Sequence, residues 1–337
     1  MWGGPRQYST YGAHVKTNKI MPLDTAIRDH VLANDSIHLM VGHTRWTAAA
    51  RELVRQWWGR DPQFELIMLS LSSLGALFFK GELVRHVVTG YSGDTFPNFT
   101  PNPWFQRAYR DGTVTVEHWS FLAFVQRREA AAKGLPAIAT RSISGSSMEH
   151  NEAFSMVDTP FGAVGMLAPL QPDVALVHAP VADRDGNIAF HPPMLEGVWG
   201  ALAARRGVIA TVERVVDDLR PWSHFVRIPA HRVLAVSEVP MGAHPGGLYA
   251  GDLPVEGYVR TTNFGSRRVP RPAVIATTNG FAHGCSTSIR RKRGSNDWVA
   301  NGSRCCVPRP ILNRGALTRQ PSSPISMRQQ TPGSAPR

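Results

Sequence analysis

The sequence predicts an α/β protein, a mostly parallel sheet with helices on both faces. Two observations lead to it: short β-branched apolar runs alternate with amphipathic segments through residues 21–263, and helix caps and stops recur between them. With 337 residues and 42% apolar content there is ample material for a buried core. No tandem repeat is visible.

Taken in order, residues 36–41 read as a strand and 42–46 as a turn. Thr47 reads as the N-cap of a helix over 48–57, which Gly59 ends. Strands follow at 64–71, 84–89 and 113–117, the last feeding a helix over 121–133 that Ser120 caps and Gly134 with Pro136 stops. Further strands are expected at 135–140, 174–179, 208–212 and 233–239, with a helix across 196–205. In such sheets ligands gather beyond the carboxyl ends of the strands, so the loops there are the first place to look for chemistry.

The formal charge of +12 would suggest a polyanionic partner, but it is not spread over the chain. From Phe264 onward thirteen Lys and Arg face a single acid, Asp297, while the remainder balances at 24 basic and 24 acidic residues. Cys285, Cys305 and Cys306 also lie in this tail, so no disulfide framework or zinc site belongs to the body. The expected division is a loose leader over 1–20, one domain over 21–263 and a basic tail over 264–337. A disordered basic arm, an extension without a role and an out-of-frame stretch compete for the tail; the simultaneous change in charge, cysteine use and periodicity favours the last. The longest uncharged apolar stretch, residues 66–79, is shorter than the roughly 20 that a membrane helix needs, and the polar start has no signal-peptide core. A cytoplasmic protein without nucleic-acid or membrane partners is expected.

The sharpest segment is the run Pro172-Asp173-Val174-Ala175-Leu176-Val177-His178-Ala179, followed by the acidic turn Asp183-Arg184-Asp185-Gly186-Asn187. No glutamate closes a calcium loop there, so a tight turn is favoured over a metal site. This segment resembles that of family I coenzyme A transferase alpha subunits of the glutaconate CoA-transferase type. Val41-Gly42-His43-Thr44-Arg45, Asn102-Pro103-Trp104-Phe105, Glu117-His118-Trp119-Ser120, Gly134-Leu135-Pro136, Arg141-Ser142-Ile143-Ser144-Gly145-Ser146 and Gly242-Ala243-His244-Pro245 resemble further family elements in matching order, across roughly residues 20–260. The resemblance implies the CoA-transferase (NagB/RpiA-like) fold and an A-type subunit that moves CoA between carboxylic acids together with a beta subunit. It also implies an acyl-CoA thioester as substrate, with no permanently bound cofactor.

A thioester enzyme must hold the CoA phosphates and pantetheine, stabilise an oxyanion, and supply a carboxylate or an activated water. Gly42 and Gly145, at strand-to-helix loops, suit the first tasks, with Ser146 beside the latter; ordinary turn glycines are the alternative. Arg45 and Arg141 match phosphate or carboxylate, or a structural ion pair. His244 sits in a Gly/Pro loop and is a better binding candidate than His38, His86 or His178, which lie in apolar strands and read as core. Glu117 and His118, at a strand's end, are candidates for acid–base work, against the reading of an exposed strand-end carboxylate. In the transferases the nucleophilic glutamate lies in a Ser-Glu-Asn-Gly motif of the beta subunit, absent here. A related hydrolase branch, which opens CoA-linked rings, uses an alpha-subunit glutamate that aligns with His118 or, shifted by one residue, Glu117. A non-catalytic scaffolding subunit is the remaining alternative.

Overall fold

The computed structural model describes residues 18–42, 44–94, 99–192 and 196–259, and two short strands in the tail. The chain falls into two compact units, Met1–Val274 and Ile275–Arg337. Of the second, only the antiparallel strand pair Ile289–Arg291 with Trp298–Ala300 is described. The rest of the expected tail, and the leader before residue 18, lie outside the described residues.

The first unit runs α1 (Leu23–His30), β1 (Ser36–Leu39), α2 (Thr47–Trp57), β2 (Phe64–Leu71), α3 (Ala76–Lys80), β3 (Val84–Ser92), α4 (Pro103–Arg110), β4 (Thr115–His118) and α5 (Phe121–Lys133). It continues through β5 (Ile138–Thr140), β6 (Phe154–Thr159), β7 (Gly162–Leu167), β8 (Val174–Asp183), β9 (Ile188–Ala189), α6 (Gly197–Ala203), β10 (Gly207–Val216), β11 (Val226–Ile228) and β12 (Val233–Glu238). Seven strands lie in the order β12-β10-β8-β1-β2-β3-β4, and every neighbouring pair is parallel. β9 and β11 add antiparallel pairs beyond the far half of β8.

The two-residue period of the strands sends alternate side chains to opposite faces. Ile37, Leu39, Leu66, Met68, Val174 and Leu176 pack with residues of α1 to α4. Ala175, Val177 and Val208 pack with Ala201 of α6, and Ile67 and Val88 with Ala123 and Phe124 of α5. Both faces are therefore covered, as the sequence predicts. Phe78 and Phe79 are core, and Trp57 and Trp58 pack, partly buried, against the same cluster. At ~1.5–3 kcal/mol for each large apolar side chain removed from water, this core supplies the main driving force.

Three sequence expectations need correction. The strand expected at 135–140 shortens to β5 and leaves the main sheet, pairing antiparallel with β7 in a separate three-stranded sheet with β6. Thr47 is not an N-cap: it is the first residue of α2, and its hydroxyl donates to the Ala243 carbonyl at 3.0 Å. Residues 19–21, at the end of the expected leader, run beside β12, where the Val236 amide donates to the Lys19 carbonyl and the Met21 amide to the Val236 carbonyl. By contrast, Ser120 does cap α5, accepting from the Ala123 amide at 3.1 Å, and Gly134 ends it in the left-handed conformation. The acidic turn closes as expected, Asp183 accepting from the Asn187 amide and side-chain nitrogen, both at 2.8 Å. No described helix is long and apolar enough to cross a membrane.

Candidate active site

At the carboxyl end of the parallel sheet two loops are knit together. The loop after β1, which holds Gly42 and Arg45, is tied to β8 by the Thr44 hydroxyl, which donates to the His178 carbonyl. The loop after β12, which holds His244, is tied to α2: the Ala48 amide donates to the Gly242 carbonyl at 2.9 Å and Thr47 to that of Ala243. Arg45 packs against Gly246, where a Cβ would stand 2.9 Å from its Cγ. Desolvation, and then the Arg51 charge, lower the His244 pKa, which favours its neutral form. The structure thus brings Gly42, Arg45 and His244 into one cluster, with Arg51 of α2 beside them.

Beneath this cluster lies a polar chain. The fully buried His178 ring places Nδ1 2.8 Å from Thr211 Oγ1 and Nε2 2.8 Å from Glu213 Oε1. Glu213 also accepts from the Tyr258 hydroxyl at 2.6 Å and, through Oε2, from the Met241 amide at 2.7 Å. Tyr258 in turn accepts from the Ala243 amide at 3.1 Å. Burial alone would raise the Glu213 carboxyl; the hydrogen bonds from His178, Tyr258 and Met241 outweigh it and hold the group below the usual carboxylate range. Desolvation and the Glu213 carboxylate push the Tyr258 hydroxyl well up. Glu213 also borders an open cleft of about 630 Å³ with Arg214, Glu238, Pro254, Val255 and Glu256. Three carboxylates against one arginine make this cleft a poor host for phosphates, which the Arg45 and Arg51 side suits better.

A second group gathers at the end of β4. Glu117 and His118 are consecutive in the strand, so their side chains leave opposite faces. Glu117 accepts from Arg127 of α5 at 2.6 Å and from the indole nitrogen of Trp119, and Arg127 lies over the Trp119 ring at 4.4 Å. His86 Nε2 stands 3.9 Å from its other oxygen. Glu117 pairs in register with Val88, four residues before the end of β3, so it sits ~13 Å below that strand's edge. His118 is exposed, and partial desolvation lowers its pKa.

The segment with Arg141, Gly145 and Ser146 adjoins this strand end. Asn151 donates to the His118 carbonyl at 2.8 Å, and the Ser120 and Ser142 hydroxyls share a hydrogen bond. Arg141 is exposed. The Gly145 amide is engaged by Glu149 at 2.7 Å, and the Ser146 hydroxyl donates to the Ile143 carbonyl at 2.7 Å. The site residues named from sequence therefore form two clusters, one over β1, β8, β10 and β12 and one beside β4. β1 and β4 are three strand spacings apart, ~14 Å.

Sequence reasoning missed Glu213 and Tyr258 and read His178 as core only. A carboxylate closing the apolar run Val208-Ile209-Ala210-Thr211-Val212 was the available signal for Glu213; Tyr258, 45 residues further on, offered none.

The Coenzyme A transferase family profile matches residues 34–238. The chain is similar to the A-type subunit of 3-oxoadipate CoA-transferase from Pseudomonas knackmussii, 28% identical over 69% of this chain and 84% of that one. Over a shorter stretch it resembles the cholesterol ring-cleaving hydrolase IpdA subunit of Rhodococcus jostii, 29% identical over 51% of this chain and 62% of that one. Among solved structures, glutaconate coenzyme A-transferase from Acidaminococcus fermentans shares the fold, with a TM-score of 0.66 at 23% identity over 80% of this chain and 88% of that one. The parallel sheet, the ordered motifs and the profile covering most of the described body agree: this chain belongs to the coenzyme A transferase family, as a subunit of the A type.

Proposed function

We propose that this subunit binds an acyl-CoA thioester at the carboxyl edge of its sheet and works with a B-type subunit that supplies the nucleophilic carboxylate. One observation supports placing the nucleophile in trans. The two carboxylates best placed by sequence and structure, Glu117 and Glu213, are each engaged by several donors, Glu117 by Arg127 and Trp119, Glu213 by His178, Tyr258 and Met241. Both Glu117 donors meet Oε1, and Oε2 has only His86 at 3.9 Å, but the Arg127 charge draws electron density from the whole carboxylate and weakens it as a nucleophile.

In this reading Gly42, Arg45 and His244 hold the CoA portion, and Arg45 matches its phosphates. Gly145, Ser146 and Arg141 border the acyl side; the Gly145 amide reaches substrate only after Glu149 lets go of it. The partner's carboxylate attacks the thioester carbonyl and CoA leaves as thiolate, giving a mixed anhydride of the acyl group and the glutamyl side chain; the thiolate then attacks the glutamyl carbonyl, forming an enzyme–CoA thioester and releasing the substrate's carboxylate. A second carboxylic acid accepts the CoA from there, so CoA is a substrate and not a resident cofactor. The functional unit is residues 21–263, in a hetero-oligomer.

The test is coexpression with candidate B-type subunits and assay against a panel of acyl-CoA thioesters, with and without acceptor carboxylic acids. CoA transfer that requires an acceptor supports the proposal. Thioester loss without an acceptor, abolished by Glu117→Gln, would instead make this chain a hydrolase subunit carrying its own base.

A further inference from the structure

We infer that Glu213, with His178 and Tyr258, is a positioning residue: the hydrogen-bonded chain Thr211–His178–Glu213–Tyr258 fixes the 241–246 loop so that His244 and the backbone beside Arg45 meet CoA in a preset geometry. This rests on the reading of that loop as part of the CoA site. Two of the loop's backbone amides end on the chain, Met241 on Glu213 Oε2 and Ala243 on the Tyr258 hydroxyl. The loop cannot drift away from the strands without taking the Met241 amide from the half-buried Glu213 carboxylate and the Ala243 amide from the half-buried Tyr258 hydroxyl. Its fit is also steric, since a Cβ at Gly242 would stand 2.5 Å from the His178 ring. β8, β10, the β12 loop and the segment around Tyr258 thus converge on one carboxylate.

Hydrogen-bond accounting gives this inference a test that a charge-based role would fail. With a carboxylate at 213, His178 donates through Nε2–H; in the other tautomer the Thr211 hydroxyl, 3.2 Å from the Val177 carbonyl, can donate there and accept from His178 Nδ1–H, which leaves Nε2 as an acceptor. If Glu213 becomes glutamine, its amide oxygen can still accept from Met241. Its NH2 can donate to His178 Nε2 and to the Tyr258 oxygen. Every group but the Tyr258 hydroxyl proton, which loses Glu213 as its acceptor, keeps a partner while the negative charge is gone. Glu213→Ala satisfies none of them, and Tyr258→Phe releases the Ala243 amide while keeping the ring in place.

The full chain, coexpressed with its B-type partner, is titrated with free CoA by calorimetry, and the melting temperature is recorded alongside. Tyr258→Phe and Glu213→Ala are expected to raise the Kd for CoA about tenfold, the usual scale for a lost buried hydrogen-bond partner. Glu213→Gln is expected to recover binding to within about threefold of wild type. For whichever acyl-CoA is turned over, KM should move with Kd while kcat changes less. Wild-type Kd in a folded Tyr258→Phe protein would overturn the inference, even if Glu213→Ala fails to fold. Glu213→Gln binding as weakly as Glu213→Ala would overturn it as well, since charge and not anchoring would then matter. No CoA binding by the wild-type assembly would instead overturn the reading of the site on which the inference stands.

Discussion

Arg127 donates to the Glu117 carboxylate at 2.6 Å while its guanidinium lies over the Trp119 ring, so the residue with the strongest sequence claim to base chemistry is clamped between β4 and α5. Arg127 is 7% exposed at its side chain and Glu117 30%. Removing the arginine therefore strands a carboxylate that water reaches only in part. Arg127→Leu should lower the unfolding free energy by ~2 kcal/mol, and Glu117→Gln by less, because the amide still accepts from Trp119. Urea denaturation of the two variants checks the order.

A second buried pair joins the same helix to the other half of the sheet. Arg128, fully buried over the Phe124 ring, contacts Glu196, which is 10% exposed at the start of α6. Glu196→Leu alone should cost ~3–5 kcal/mol because it leaves a buried guanidinium unpaired. Arg128→Met combined with Glu196→Leu should be clearly less damaging than Glu196→Leu alone. A double-mutant cycle on chemical denaturation reads the difference.

His38 in β1 is fully buried, with Nε2 3.0 Å from the Gly197 carbonyl and Nδ1 3.3 Å from that of Ile67. Burial, and then the Arg128 charge, lower its pKa from the usual 6.5 to about 3. The folded protein keeps the ring neutral while the unfolded chain protonates it below pH ~6.5, so acid favours unfolding. The His38 contribution is complete above pH ~6.5 and is lost by ~1.4 kcal/mol per pH unit down to about pH 3. Replacement by Asn should flatten the stability–pH curve in that window and leave its shape at pH 8 unchanged.

Truncation tests the domain boundary. A chain ending at residue 263 keeps Tyr258 and the whole described sheet, while it loses thirteen Lys and Arg against one acid. It should retain thioester activity with its partner within about twofold and bind anionic resins far less tightly. Loss of activity on truncation would assign the tail a role.

How much of the structure is legible in the sequence varies with the range of the interaction. α5 can be bounded to the residue because its cap, its apolar run and its stop are all local signals. β2 is likewise bounded by its own apolar content. α1 escapes a sequence reading because it begins after Pro22 with no side-chain cap, and its stability comes from packing on β12 and α2. β5 is placed in the wrong sheet by its sequence because a three-residue strand carries no record of its partner, and the β6–β7 hairpin that claims it is largely exposed and lacks a clean apolar alternation. The site divides in the same way. The glycine and histidine loops stand out through their ordered motifs, whereas the commitment of Glu117 to Arg127 depends on how β4 packs on α5, and that of Glu213 to Tyr258 joins residues 45 positions apart.

The central claim is that the nucleophile lies in the partner, and covalent trapping tests it most directly. The assembled enzyme is incubated with its acyl-CoA, treated with borohydride or hydroxylamine, and mapped by peptide mass spectrometry to find the glutamate that carried CoA. The expected result is a modified glutamate on the B-type chain, none on this one, and Glu117→Gln turnover within about threefold of wild type. Modification of Glu117, or a 10²- to 10⁴-fold fall in turnover of a stably folded Glu117→Gln enzyme, would contradict it.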